Sequence, residues 1–202
     1  IRSEEAKRIH NEAVALDKAG DDEAALVKYK QALEIDPNNA LVQLLSAKVY
    51  YGNGQIQQGL KLAKKSFQID PNNRSLLRNL DMCYYGLGDY QRSIEIQKRI
   101  LQIEPESLAA LEAGYADKDY KNAMLALAHT KEKLSNQQFI QPAWVAIAYN
   151  RAGMYEEALR WLERGLQMHD QDLPYIFIMH EFNHLKPDER FRRIAQKINI
   201  PL

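Results

Sequence analysis

Apolar residues recur along this chain at the three- and four-residue spacing of amphipathic helices, in blocks separated by regularly placed turn residues. In the first complete block, one face of the predicted second helix carries Ala25, Tyr29, Ala32, Leu33 and Ile35. Small residues let two helices approach closely, and large residues fill the space between pairs of helices. The pattern predicts an all-α fold.

The turn residues between these blocks repeat every 34 residues. The copies read EIDPNN, QIDPNN and QIEP, at residues 34–39, 68–73 and 102–105. Three glycines recur at the same spacing, namely Gly20, Gly54 and Gly88. A fixed period of this length is typical of stacked structural repeats.

Each repeat is predicted to contain two helices. The residue before a proline disfavours helical geometry, so the second helices should end near Asp36, Asp70 and Glu104. The glycines allow the reversal between the two helices of each unit, and the asparagines after the prolines can cap the next helix. The sequence therefore predicts a series of helical hairpins.

The first hairpin resembles the tetratricopeptide repeat family, whose units are 34-residue helix–turn–helix pairs. The residues that carry this resemblance are Ala13, Leu16, Gly20, Ala25, Tyr29, Ala32 and Pro37. A later unit shows it again in Ala146, Tyr149, Gly153, Tyr155, Ala158 and Leu162. The second unit departs from the pattern at Gly59 and Ala63, and the third at Asp81 and Ser93.

The resemblance implies a right-handed superhelix, or α-solenoid, of about five hairpins. A degraded fourth copy surrounds Tyr115, Tyr120, Ala123 and Leu127, and its first helix is expected to be about one turn shorter. We predict a repeat array over residues 1–170, followed by C-terminal capping helices over 171–202. The five predicted units are 6–39, 40–73, 74–105, 106–137 and 139–170.

The tail is similar to the close of certain bacterial signalling proteins. The similar segments are residues 153–164, 188–191 and 198–202. In those proteins, tetratricopeptide arrays follow a winged-helix DNA-binding domain, a nucleotide cyclase or a Ser/Thr kinase, so the resemblance implies a regulatory or sensory array. Phe191, Ile194 and Ile198 form one apolar stripe, as expected of a helix that closes an array and shows water its charged face.

The composition disfavours nucleic-acid binding and a membrane-spanning helix. The chain has 27 basic and 27 acidic side chains, and this balance disfavours direct nucleic-acid binding, which neutralises phosphates with a basic excess. No stretch approaches the roughly 18 apolar residues of a membrane helix. The lone cysteine, Cys83, forms no internal disulfide, which suits the cytoplasm without excluding the periplasm. We interpret it as a core thiol.

The chain opens on Ile1 without an initiator methionine or a signal peptide. It is therefore expected to be a piece of a longer protein.

The concave groove of the array is the predicted binding site. In tetratricopeptide superhelices the first helix of each unit lines this groove, and the resemblance places Tyr51, Tyr85 and Tyr115 at equivalent positions. Four further residues and one arginine of the last unit are expected nearby: Leu44, Lys48, Arg78, Met82 and Arg151. Tyrosines provide rigid contact area with a polar tip, which suits peptide binding. The alternative is that they pack between adjacent first helices.

A Lys/Asn/Arg clamp for C-terminal carboxylates, which some family members use, is missing. His10, Val14 and Leu45 occupy the places where it would lie. Binding to chaperone tails by that route is therefore disfavoured.

The segment His180-Glu181-Phe182-Asn183-His184 matches the H-E-x-x-H pattern of zinc metalloproteases. Catalytic zinc needs a third protein ligand, and the 18 residues after His184 offer Asp188 and Glu189 directly after a break at Lys186-Pro187. We therefore reject His180, Glu181 and His184 as a metal site and predict no cofactor.

Three functions compete. The first is an interaction module that binds a peptide or a partner protein in its groove, as part of a larger signalling protein. The second is a domain that regulates in cis an attached transcription factor, cyclase or kinase. The third, a metallopeptidase, is remote, so we predict a protein that is not an enzyme. The sequence leaves the oligomeric state open.

Overall fold

The computed structural model describes residues 4–200, which contain helices and no strand. Pro201 and Leu202 of the predicted tail, and Ile1 to Ser3 of the predicted array, lie outside the described residues. The α-helices are α1 (Glu4–Lys18), α2 (Asp22–Ile35), α3 (Ala40–Gly52), α4 (Ile56–Ile69), α5 (Arg74–Gly86), α6 (Tyr90–Ile100), α7 (Pro105–Gly114), α8 (Tyr120–Leu134), α9 (Pro142–Ala152), α10 (Tyr155–Gln167), α11 (Leu173–Ile178) and α12 (Glu189–Lys197). Two 3-10 helices lie at Leu101–Ile103 and His180–Leu185.

Helices α1 to α10 pack as five consecutive antiparallel pairs, which we number as hairpins one to five. The chain forms two compact units, residues 1–100 and 101–202. The first unit holds hairpins one to three, and the second holds hairpins four and five with the terminal segment. The predicted all-α hairpin-repeat fold is confirmed. The predicted boundary between array and cap at residues 170 and 171 stays a prediction.

In the first unit, the repeated Asp-Pro-Asn-Asn sequence builds the link between hairpins. Asn39 accepts the backbone N–H of Val42 at 3.1 Å and donates its amide to Asp36 Oδ2 at 3.1 Å. Asn73 likewise caps α5 and donates to Asp70. A side-chain acceptor at this position satisfies a backbone N–H that the first helical turn leaves open.

The third copy of the turn behaves differently. A 3-10 helix follows α6, and Pro105 is the first residue of α7. Proline is favoured there because its ring presets the helical φ and its missing N–H has no intrahelical acceptor. Without the two asparagines, the link between third and fourth hairpins contains no separate turn after the proline.

The core of the first hairpin follows the repeat pattern. Ala13, Ala25 and Ala32 are at most 1% exposed, and Tyr29 is completely buried among them. In the second hairpin Gly59 takes the place of an alanine. A Cβ at residue 59 would lie 3.0 Å from the carbonyl oxygen of Ala47, so the glycine allows α3 and α4 to approach closely.

In the second unit, the first helix of the fourth hairpin is short, as expected. Helix α7 has 10 residues, against 13 in α3 and in α5. Gly114 ends it against α8, where an added Cβ would lie 2.7 Å from the carbonyl oxygen of Asn122. The hairpin is therefore complete, and its crossing depends on a residue without a side chain.

The terminal segment, residues 173–200, packs on the fifth hairpin. Phe191 and Ile194 of α12 are buried and Ile198 is half-buried, as the predicted capping stripe requires. The Phe191 ring lies 4.4 Å from that of Phe177 in α11, measured between centroids. Beside this stripe, Arg190 contacts Glu156 of α10 at 2.7 Å.

Candidate functional site

The predicted groove residues of the first unit lie on two adjacent first helices, α3 and α5. Lys48 and Met82 hold equivalent positions one repeat apart, and both are half-buried. Arg78, Met82 and Tyr85 follow one another at spacings of four and three residues, so they share one face of α5. Helices α3 and α5 contact each other. We call Lys48, Arg78, Met82 and Tyr85 the α3–α5 surface.

Tyr85 is half-buried at the end of this surface. Its ring lies 5.8 Å from that of Tyr90, the first residue of α6. Such a contact fixes the ring while leaving part of its face exposed, which favours an anchor for a partner side chain.

Two of the predicted groove residues lie beneath the α3–α5 surface. Tyr51 is 1% exposed, and a Cβ at Gly86 would lie 2.9 Å from its Cε2 atom, so the glycine leaves room for the ring. Leu44 is 7% exposed, and its carbonyl oxygen accepts the side-chain amide of Asn79 at 2.9 Å. Both residues join the second hairpin to the third and offer little contact area to a partner.

Tyr115 belongs to the second unit. It follows the last residue of α7, where its backbone N–H donates to the carbonyl of Leu111 at 3.0 Å, and its side chain is half-buried. Tyr51 and Tyr85 lie within their helices, whereas Tyr115 caps a shorter one. Its assignment to a groove stays a prediction.

The assignment of Arg151 to the groove requires a side chain that a partner can reach. In the structure this side chain is buried. It is 1% exposed, and its Nε and Nη2 atoms donate to the Glu181 carboxylate at 2.8 and 3.1 Å. Nη1 also lies 3.3 Å from the hydroxyl of Tyr120. The sequence pattern misses this because the two charges come together only when the terminal segment docks on α9.

The same contact occupies the carboxylate of Glu181, which the zinc motif would use as its general base. Residues 180–185 form a 3-10 helix, in which side chains four residues apart point about 120° apart, against about 40° in an α-helix. His180 and His184 are both exposed, His180 contacts Asn183, and the His184 ring lies 4.5 Å from that of Tyr155. No group of three or more His, Cys, Asp or Glu side chains in residues 4–200 is arranged to hold a metal ion.

Cys83 is a core thiol, as predicted. It is completely buried beside Gly59, and burial raises the pKa of its thiol to about 12. A thiol in that state is a poor nucleophile because the thiolate is the reactive form.

The third hairpin contains a buried polar cluster that was not predicted from the sequence. Asp81 is 3% exposed and accepts the hydroxyl of Ser93 at 2.6 Å and the amide of Gln97 at 2.8 Å. The available signal was that both Asp81 and Ser93 depart from the repeat pattern. The repeat pattern marks both positions but does not pair them.

A second long-range contact lies at the start of α9. Asp170, after α10, accepts the backbone N–H of Ala143 at 2.7 Å and the side-chain amide of Gln141 at 3.1 Å. Asp172 accepts the indole N–H of Trp144 at 2.9 Å. The loop after the fifth hairpin therefore caps that hairpin's own first helix.

The amino-acid sequence matches a known family model over part of its length. Residues 11–54 match the model described as TPR repeat, from the middle of α1 to the turn after α3. This match supports the predicted membership of the tetratricopeptide repeat family. No curated protein sequence matches it.

Solved structures show the same fold over most of the chain. A crystal structure of MamA protein covers 84% of this chain and 94% of its own, with 20% identity and a TM-score of 0.53. A thermophilic TPR protein of Thermus thermophilus covers 96% of this chain and all of its own, with 17% identity and a TM-score of 0.55. PilW, a type IV pilus biogenesis factor, covers 98% and 93%, with 15% identity and a TM-score of 0.56. These likenesses are likenesses of fold.

Within residues 4–200, no helix has the combined length and apolar character that crossing a lipid bilayer requires.

Proposed function

We propose that this chain is a protein-interaction module that binds a peptide or a partner protein through the α3–α5 surface. The observation that carries the proposal is the pair of equivalent half-buried side chains, Lys48 and Met82, flanked on α5 by Arg78 and Tyr85. Tyr85 provides rigid contact area, and the neighbouring helices hold the backbone of all four residues in place before a partner binds.

The α3–α5 surface lies on well-packed, buried residues. Leu44 and Tyr51 are buried directly under it, and Asn79 ties α5 to α3 through the Leu44 carbonyl. A binding surface that is held in place before the partner arrives loses less conformational entropy on association.

The module is proposed to act without catalysis, as the regulatory part of a larger signalling protein in the cytoplasm. Its partner is then a separate protein or another domain of the same parent chain. The tail resemblance supports this role, and the engagement of Glu181 by Arg151 speaks against the metallopeptidase alternative.

The experiment is affinity capture followed by calorimetry with the purified partner. Met82→Ala and Tyr85→Ala should each weaken binding by more than about 1 kcal/mol while leaving the unfolding transition nearly unchanged. Tyr175→Ala is a matched control, since this tyrosine is 43% exposed on α11 and lies outside the surface. Equal affinities for all three variants would rule out the α3–α5 surface as the binding site.

Tyr51→Ala separates binding from packing. Removing this fully buried ring should cost stability by about 3–5 kcal/mol. If the folded Tyr51→Ala variant lost as much partner affinity as Tyr85→Ala, the assignment of Tyr85 to binding and of Tyr51 to packing alone would be wrong.

A further inference from the structure

The inner positions of the fifth hairpin are covered, unlike those of the second and third. The repeat pattern aligns Ile147 of α9 with Lys48 and Met82, which are half-buried. Ile147 is 5% exposed, and its neighbours Ala143 and Asn150 are 1% and 3% exposed. Something in the second unit therefore occupies the face that α3 and α5 leave partly open.

The occupant is a short piece of the terminal segment that centres on Glu181. The backbone carbonyl of Glu181 accepts the side-chain amide of Asn150 at 3.1 Å, and its carboxylate accepts two hydrogen bonds from Arg151. Tyr120 of α8 places its hydroxyl beside the same guanidinium. Arg151 therefore holds the carboxylate of Glu181, Asn150 holds its backbone carbonyl, and Tyr120 contacts the guanidinium.

The buried ion pair between Arg151 and Glu181 is not needed to stabilise the docked segment. Taking two charges out of water costs nearly what their attraction returns, so apolar side chains of the same size would hold the segment as well. What the pair adds is selectivity, because a guanidinium with 1% exposure needs an anionic partner to compensate its charge and donates to both oxygens of a carboxylate.

The site is also not fully satisfied by its occupant. Asn150 donates to Glu181, but its amide oxygen has no hydrogen-bond partner among residues 4–200, although it is buried. A buried acceptor without a donor costs stability. A peptide that brings a donor to this oxygen would remove that cost.

The segment that carries Glu181 is short and irregular. It is a six-residue 3-10 helix joined to the six-residue α11, with His180 and His184 exposed on either side. Short helices of this kind are marginal without tertiary contacts. Its contacts with the hairpin comprise the Glu181 ion pair and the buried side chains of Met179, Phe182 and Leu185.

We propose that Arg151 and Asn150, with Tyr120 beside the guanidinium, form a binding site for an acidic residue of a peptide, and that Glu181 occupies it as an intramolecular competitor. The site lies in the second unit and is separate from the α3–α5 surface. A partner that carries a suitable acidic residue gains access when the terminal segment leaves α9.

The test uses the full chain and a synthetic peptide with the sequence of residues 176–187. Glu181→Gln removes the carboxylate and keeps the side-chain shape, so hydrogen exchange at residues 173–185 should accelerate on the order of 100-fold. The released site should bind the added peptide at least about tenfold more tightly than a peptide with Gln in place of Glu181. The wild-type chain, whose site is filled, should bind neither.

Glu189→Gln is the matched control, since Glu189 is an exposed acid of the same segment and should leave exchange and binding unchanged. Should Glu181→Gln fail to fold, Glu181→Asp keeps the buried charge compensated while shortening it, and should show a smaller preference for the Glu peptide. Unchanged exchange in Glu181→Gln, or equal affinity for the Glu and Gln peptides in the folded variant, would overturn the proposal. Neither readout uses the partner of the α3–α5 surface, so the two proposals can fail independently.

Discussion

Asp81 accepts a hydrogen bond from the hydroxyl of Ser93 at 2.6 Å, and these are the two residues at which the third hairpin departs from its repeat pattern. Each residue alone would be unfavourable at a close helix contact, because a buried carboxylate needs donors. Together, and with Gln97, they form a satisfied cluster. The two departures are thus one coupled feature.

We predict that Ser93→Ala destabilises the protein by about 1–3 kcal/mol, because it takes one donor from a buried carboxylate. Urea unfolding followed by circular dichroism measures this. The double variant Asp81→Ala with Ser93→Ala should lose less than the sum of the single variants. Additive losses would show that the hydrogen bond does not couple the two positions.

The crossing of the fourth hairpin depends on Gly114. We predict that Gly114→Ala costs about 1–3 kcal/mol, since the new Cβ would meet the backbone of Asn122 and Ala123 at 2.7 and 2.8 Å. Backbone atoms cannot move aside as a flexible side chain can.

Gly165→Ala is the control for this substitution. Its Cβ would have its nearest neighbour at 3.4 Å, an ordinary contact, in the interior of α10. Alanine favours a helix over glycine by up to about 1 kcal/mol, so this variant should be as stable as the wild type or more so. Equal urea midpoints for the two variants would contradict the close approach of α7 and α8.

Asp17 makes the stability of the first unit depend on pH. Partial burial, with the neighbouring Asp22 as a second cause, raises the pKa of its carboxyl, although Tyr29 donates to it at 3.4 Å and Lys48 and Lys18 attract it. A raised pKa in the folded state means that folding favours the protonated acid. The stabilisation from Asp17 is therefore complete below the ordinary aspartate pKa and is lost as pH rises through the raised value.

Asp17→Asn should accordingly be more stable than the wild type at neutral pH, and the gain should vanish in acid. Urea midpoints between about pH 3.5 and 7 measure the difference across the window in which the carboxyl titrates. Glu23→Gln, at an exposed acid of α2, controls for the loss of one negative charge. A gain that is constant with pH, or equal in both variants, would contradict the role of burial at Asp17.

Cys83 offers a probe of opening in the third hairpin. Because its thiol is completely buried and its pKa is raised to about 12, a thiol reagent at about pH 8 should label the native chain only as fast as the chain opens. In urea, one thiol per chain should react at once, as this is the only cysteine. Fast labelling of the native chain at the unfolded rate would place Cys83 at the surface.

The groove assignments show where repeat reasoning was sufficient and where it was not. The repeat places Lys48 and Met82 at the same position of successive hairpins, and both are half-buried. It also equated Tyr51 with Tyr85, which differ because Gly86 of α5, the first helix of the next hairpin, makes room for the Tyr51 ring. Burial depends on the following hairpin as well as on the position within the repeat.

The sequence by itself determined the helices, their pairing into hairpins and the turns between them. These follow from local rules: the spacing of apolar residues, the geometry of Pro37 and Pro71, and the caps formed by Asn39 and Asn73. Tertiary structure alone decided that Arg151 and Glu181 are partners and that the terminal segment covers the inner face of the last hairpin. That pairing joins residues 30 positions apart. The spacing of apolar residues within a helix contains no information about which distant side chain will contact Arg151.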